Sequence, residues 1–215
     1  MTSRLFCLLF SAAACAASPF AARYVERYCA QTFSRKKRIV SAVAIALCAV
    51  VSCVLAALRF PFGAYLCAVS VTSFSAAALS LCDLCCQEIP PLFSAGILLC
   101  SAAICIEDRA HIVYHLLGAA VVGGVLLLLY LLSRGRAMGF GDVKLMFAAS
   151  LGLGLSKGIA AFLIAFVLAA VVHPVCMLLF RRDNRLAFGP YLAVGIVGAY
   201  VFGDALVQWY ITLIR

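Results

Sequence analysis

Eight mostly apolar runs divide this chain, near 4–22, 39–58, 62–82, 90–106, 111–132, 143–156, 158–180 and 187–212. About 20 such residues carry an α-helix across a bilayer. In lipid each backbone N–H and C=O must find a partner within its own segment, so runs of this length are read as helices. The expected fold is therefore all-α, a polytopic membrane helix bundle of about eight spans. The sixth run is short, which predicts tilt, local thinning of the bilayer or a partly re-entrant course. Composition agrees: 67% of the 215 residues are hydrophobic and 12% charged, against about a quarter charged in an average soluble domain. Pro61, Pro90 and Pro91 stand at span edges, where a missing N–H is tolerated. His173-Pro174 lies inside the seventh run and predicts a kink there.

The net charge of +9 needs no nucleic acid to explain it, because membrane proteins gather basic residues in cytoplasmic loops. With the N-terminus outside, the inner segments hold Arg23, Arg27, Arg35, Lys36, Lys37, Arg38, Arg134, Arg136, Lys144, Arg181, Arg182 and Arg185, 12 of the 17 basic residues. Arg4, Arg59, Arg109, Lys157 and Arg215 remain outside. Residues 1–22 resemble a signal peptide in layout, but cleavage there would export the basic segment 23–38, so a retained first span is expected. The chain then divides into residues 1–38, a first span with a short basic cytoplasmic loop, and a membrane domain over 39–215.

Most of the 12 cysteines, among them Cys7, Cys48, Cys53, Cys100 and Cys176, fall in apolar runs and read as small packing residues. Cys82 and Cys85 form a lone C-x-x-C with Cys86 beside it. A zinc site ordinarily needs a second ligand pair, and none is apparent, so no metal is expected.

Two acids stand out. Asp83 falls at the inner end of the third run and Asp142, in "MGFGDVKL", at the inner start of the sixth. Acids at membrane depth are costly and are seldom placed there without a partner or a task. Singly, each reads as a helix cap or loop acid. Two carboxylates brought together behave differently: one keeps a proton while the other stays charged. That supplies a base to activate water and an acid to protonate a peptide carbonyl oxygen, the arrangement of aspartic proteases, with no metal or cofactor. Gly139 and Gly141 permit unusual backbone angles and close approach of another chain. Lys144, two residues after Asp142, is expected either to bias that acid or to bind lipid phosphate.

Three stretches carry a likeness to a known family. "DLCCQEIP" places an Asp six residues before Ile-Pro, here Asp83, Ile89 and Pro90. "MGFGDVKLMFAASLGLG" holds Gly139, Gly141, Asp142 and Lys144. "AFGPYLAVG" runs from Ala187 to Gly195. Together they resemble the type IV prepilin peptidases, bacterial members of the GxGD aspartic membrane proteases, over roughly residues 40–212. Pro91 departs from the family's usual Asn or Asp after Ile-Pro. The resemblance implies a multi-pass peptidase of the cytoplasmic (inner) membrane. It would remove a short basic leader from prepilin or pseudopilin substrates at the cytoplasmic face, with pilus or secretion assembly machinery as partners. Asp83 and Asp142 match the two catalytic acids. Longer members carry an N-methyltransferase domain between the first two spans; here that loop spans only residues 23–38, which predicts a short, peptidase-only form.

Competing readings are an intramembrane protease of presenilin type, which shares Gly-x-Gly-Asp, and a transporter coupling protons or cations through the two acids. No Pro-Ala-Leu run supports the first, and no half-fold repeat supports the second. Glu88 shares the inner face with Asp83 and reads either as a solvated loop charge or as a charge that attracts a positive leader. Ser70, Thr72, Ser73, Ser75, Ser80, Gly195 and Gly198 read as helix-contact positions. His173 reads as packed in the bundle, and His111 and His115 as interfacial near the outer face. Glu107 and Asp108 form an acidic outer turn. Asp204 is expected to meet interfacial water or a polar partner.

Overall fold

The computed structural model describes residues 2–30, 33–136, 138–180 and 187–214. Arg181, Arg182, Arg185 and Arg215, and the side chain of Cys176, lie outside the described residues. The described chain forms α1 (Ser3–Tyr28), α2 (Arg35–Arg59), α3 (Ala64–Cys86), α4 (Pro91–Glu107), a 3-10 turn over Arg109–His111, α5 (Ile112–Leu132), α6 (Phe140–Phe180) and α7 (Gly189–Ile214). Six of these helices are long and apolar enough to cross a membrane, and α4 is a shorter apolar helix.

The longest helix is not one rod. Within α6 the backbone leaves helical geometry at Gly154, with φ 74° and ψ −176°. A Cβ placed on Gly158 would lie 3.1 Å from Ser150, whereas eight residues of continuous helix separate two positions by about 12 Å. The chain therefore folds back on itself at Gly154, and α6 consists of two antiparallel arms. Counted this way the described residues form eight helical passes, in line with the apolar runs. The reversal falls at Gly154 and not near residue 157, because hydropathy does not register a backbone angle. The first arm covers residues 140–153, about 21 Å of helix, short against a hydrocarbon core of about 30 Å.

All passes run between two ends. At one end lie the C-termini of α1, α3 and α5 and the N-termini of α2, α4, α6 and α7. There Arg38 of α2 bonds Glu26 of α1 at 2.8 Å, and the rings of Tyr130 and Phe140 sit 5.4 Å apart. At the other end Tyr65 donates to the Tyr200 carbonyl at 2.9 Å. Cys105 donates there to the Leu151 carbonyl, and Lys157 pairs with Asp204 at 2.8 Å. Helix α1 continues to Tyr28, so Arg23 and Arg27 sit on its last turns and not in a loop.

Helix α3 is the axis of the bundle, packed by α2, α4 and α7. Its small residues make this possible: Ser70, Thr72, Ser73, Ser75, Ala76 and Ala78 are all buried. Ser70 and Ser73 return their hydroxyls to carbonyls one turn back in their own helix, at 2.8 and 2.7 Å, which satisfies them without a partner helix. Lipid supplies no hydrophobic drive between helices, so close packing holds them. Leu66, Leu79, Ile97, Leu126, Met146 and Ile196 fill the core, while Leu58, Leu99, Leu132 and Leu178 face outward. Gly195 serves such contact, since a Cβ there would overlap the Ala161 carbonyl; Gly198 has nothing within 4 Å and does not.

The outer turn departs from expectation at His115, which is buried and not interfacial. Its Nδ1 bonds the Leu151 carbonyl at 2.9 Å, and its Nε2 faces Asp108 at 3.4 Å. Asp108 also holds the exposed His111 at 2.8 Å.

Candidate active site

Helix α3 ends one turn beyond Asp83. Gln87 takes the left-handed conformation, φ 57° and ψ 33°, and its N–H bonds the Asp83 carbonyl at 3.0 Å. The chain then turns through Glu88 and Ile89, and Pro91 opens α4. Its ring needs no N–H at a first helical position, so the departure at Pro91 fits the local geometry. Helix α6 starts at Phe140, two residues before Asp142. Asp142 accepts the Gly139 N–H on Oδ2 at 3.2 Å, and its own N–H bonds the Gly139 carbonyl at 3.2 Å. Asp142 thus sits inside the first turn of α6 and reaches back to Gly139, not at the cap position that reading it alone expects. It also does more.

Asp83 and Asp142 are each only 6% exposed. They line one cavity of about 1440 Å³ at the end of the bundle where α3 stops and α6 and α7 begin. They are near enough to interact electrostatically. Between them in the sequence lie 58 residues (positions 84 to 141), so tertiary structure alone brings them together. Oδ2 of Asp83 accepts the N–H of Gly189 at 2.7 Å. Neither Oδ1 accepts a hydrogen bond from any described residue. Two buried carboxyl groups, each with one oxygen held by a backbone N–H, thus face one cavity.

Gly189 is the residue that sequence reasoning missed. A Cβ there would lie 2.8 Å from Asp83 Oδ2 and 2.9 Å from its Cβ, so only glycine lets the N-terminus of α7 approach this carboxylate. The signal was present in the Phe-Gly-Pro of the late stretch, but its contact with Asp83 spans 106 positions.

The other residues singled out fall around the same cavity, with altered roles. Neither Gly139 nor Gly141 has positive φ. A Cβ on Gly141 would lie 3.0 Å from the Ile89 Cβ, so the space beside Gly141 is filled by the turn after Asp83 and is not open. That contact locks the two acid-bearing segments together. Lys144 is exposed and places Nζ over the Phe140 ring at 4.7 Å. Positions two apart do not share a helix face, and Lys144 makes no ion pair with Asp142 among the described residues. Glu88 is exposed at the cavity wall, near the Tyr28 hydroxyl.

Comparison with known proteins bears on this arrangement. Residues 70–173 match the type IV leader peptidase family. A prepilin leader peptidase/N-methyltransferase of Aeromonas salmonicida (strain A449) is 33% identical over 113 residues, covering 47% of this chain and 38% of the relative. The protein of the same name from Bacillus subtilis (strain 168) is 32% identical over 100 residues, covering 46% and 40%. That from Legionella pneumophila is 31% identical over 86 residues, covering 39% and 30%. The matches thus span two fifths or less of the length of these curated relatives. No solved structure matches the chain. The matched segment holds both buried acids and both motifs that flank them, and over residues 70–173 this chain is similar to the type IV leader peptidase family.

Proposed function

We propose that the chain is a membrane aspartic endopeptidase that removes the short basic leader of prepilin-like or pseudopilin substrates, with Asp83 and Asp142 as its catalytic pair. The observation that carries this reading is the meeting of two buried carboxyl groups from distant segments in one cavity, inside the region that matches the family. In the ionised form one carboxylate takes a proton from a water attacking the scissile carbonyl. The protonated partner donates to the carbonyl oxygen, and the amine leaves after the reverse transfer. The Gly189 and Gly139 N–H groups hold the two acids in place throughout. Ile89 and Gly141 keep their segments in register.

The site opens at the cytoplasmic face of a bacterial inner membrane. Supporting this, Arg23, Arg27, Arg35, Lys36, Lys37, Arg38, Arg134, Arg136 and Lys144 all sit toward the aspartate end of the bundle, where the positive-inside bias places cytoplasm. A substrate helix held in the bilayer brings its leader to that end, and Glu88 attracts the leader's positive charge. Lys144, stacked on Phe140 and exposed, suits lipid phosphate. Assembly machinery for a pilus or secretion system receives the product.

The test is co-expression with a prepilin whose basic leader ends just before an apolar helix. Leader removal is read by gel mobility and by the N-terminal sequence of the product. A new N-terminus at the start of the apolar helix is expected; an unprocessed substrate beside well-inserted enzyme would overturn the proposal.

A further inference from the structure

Four cysteines gather at the aspartate end, outside the catalytic proposal. Cys29 caps α1, and Cys82, Cys85 and Cys86 stand on the last turn of α3. Cys86 turns its thiol back over the Cys82 carbonyl at 3.2 Å, and Cys29 Sγ lies 2.7 Å from Cys86 Sγ across the helix boundary. By comparison, Cys7 and Cys53, another pair of facing thiols, are 3.5 Å apart at the opposite end. A disulfide bond is about 2.05 Å long, and the Cys29–Cys86 sulfurs stand nearer to that separation than those of Cys7 and Cys53.

Position gives the contact a consequence. Tyr28 precedes Cys29 and Glu88 follows Cys86 by two residues. These two line the cavity wall beside each other. Cys86 is three residues beyond Asp83 on the same helix. Helix α1 packs chiefly on α2 and touches α3 more sparingly, so a link here would pin α1 to the helix that bears Asp83, beside the cavity's lip.

We propose that Cys29 and Cys86 form a dithiol/disulfide pair whose oxidation by a small-molecule disulfide ties α1 to α3 at the edge of the cavity. The thiolate of one cysteine attacks the small disulfide, forming a mixed disulfide and releasing one thiol. The second cysteine attacks the protein sulfur of that mixed disulfide and expels the second thiol. Both protein thiols are oxidised, one small disulfide is reduced to two thiols, and the two protons pass to solvent or to those products. Burial and the facing Cys86 thiol hold Cys29 well above an ordinary cysteine, up to about 12, so Cys29 rests as a thiol and the link closes faster as pH rises. Cys82 and Cys85 of α3 face it as well. The pair stands whether or not the chain cleaves prepilins.

The experiment uses the full chain in membrane vesicles equilibrated with glutathione buffers of rising oxidised fraction. Samples are quenched, alkylated with N-ethylmaleimide, digested without reductant and read by mass spectrometry. The expected product is an intramolecular peptide pair joining Cys29 to Cys86. It should exceed any Cys7–Cys53 pair by about tenfold and disappear on reduction. Cys86→Ser and Cys29→Ser should each abolish it, but the decisive reading is on the unaltered chain. Recovery of both cysteines alkylated at every buffer ratio would overturn the proposal. So would a Cys7–Cys53 link forming as readily, or Cys29 joined to Cys85 or to a second chain.

Discussion

At the scale of residues, the site depends on contacts that tolerate no added atoms. Replacing Gly189 by Ala puts a methyl group 2.8 Å from Asp83 Oδ2, so Asp83 or the start of α7 must move. Forced overpacking of this kind costs about 1–3 kcal/mol, and prepilin processing is expected to fall by about tenfold or more. Gly198→Ala, with open space around it, should process normally in the same assay. Lys144 gives the opposite kind of prediction. It stacks on Phe140 and stays exposed, so Lys144→Gln should shift the pH profile of processing by no more than about half a unit. A larger shift would mean that Lys144 acts on the acids after all. The profile itself should be bell-shaped, because the proposed catalytic pair requires one carboxyl charged and the other protonated.

At the scale of elements, the reversal at Gly154 is what makes α6 two passes. A side chain there meets both a left-handed φ and the ring of Tyr114. Gly154→Ala is expected to destabilise the folded bundle by about 1–3 kcal/mol, read as a lowered unfolding midpoint in detergent. The α4–α5 turn next to this reversal is held by Asp108 between His111 and His115. The hydrogen bond from His111, and then that from His115, hold Asp108 below the ordinary carboxylate range. A carboxylate lowered on folding contributes stability above its unfolded value, about 3.9, and loses it as pH falls through the folded value. The protection of amides in residues 108–115, corrected for intrinsic exchange, should therefore fall at acid pH in the native chain but not in Asp108→Asn, which lacks the titrating group. Equal acid sensitivity in both would contradict this role.

At the scale of the molecule, sequence alone reached the class of fold and the pair of acids, because both are written in simple physics. Lipid turns long apolar runs into helices, and charge bias turns loops toward one side. Asp83 and Asp142 were legible as a pair because both fall at the ends of runs that this bias places on one face. What the sequence hid was long-range or angular. The Gly189 N–H reaches Asp83 from 106 positions away, and no local pattern encodes that contact. Gly141 reads as open space until Ile89 is seen to fill it. His115 reads as interfacial because hydropathy cannot foresee that the Leu151 carbonyl, beside the break in α6, turns toward it. The resulting molecule sets a bundle of eight passes around a cavity at one end, with the two acids in its wall. Purified chain reconstituted in lipid, supplied with a prepilin and assayed as wild type, Asp83→Asn and Asp142→Asn, tests that account most directly. Asn keeps the size of each side chain and removes its charge, so both variants should insert normally and each should lose about a thousandfold or more of the processing rate. Wild-type processing by either folded variant would contradict the two-acid site.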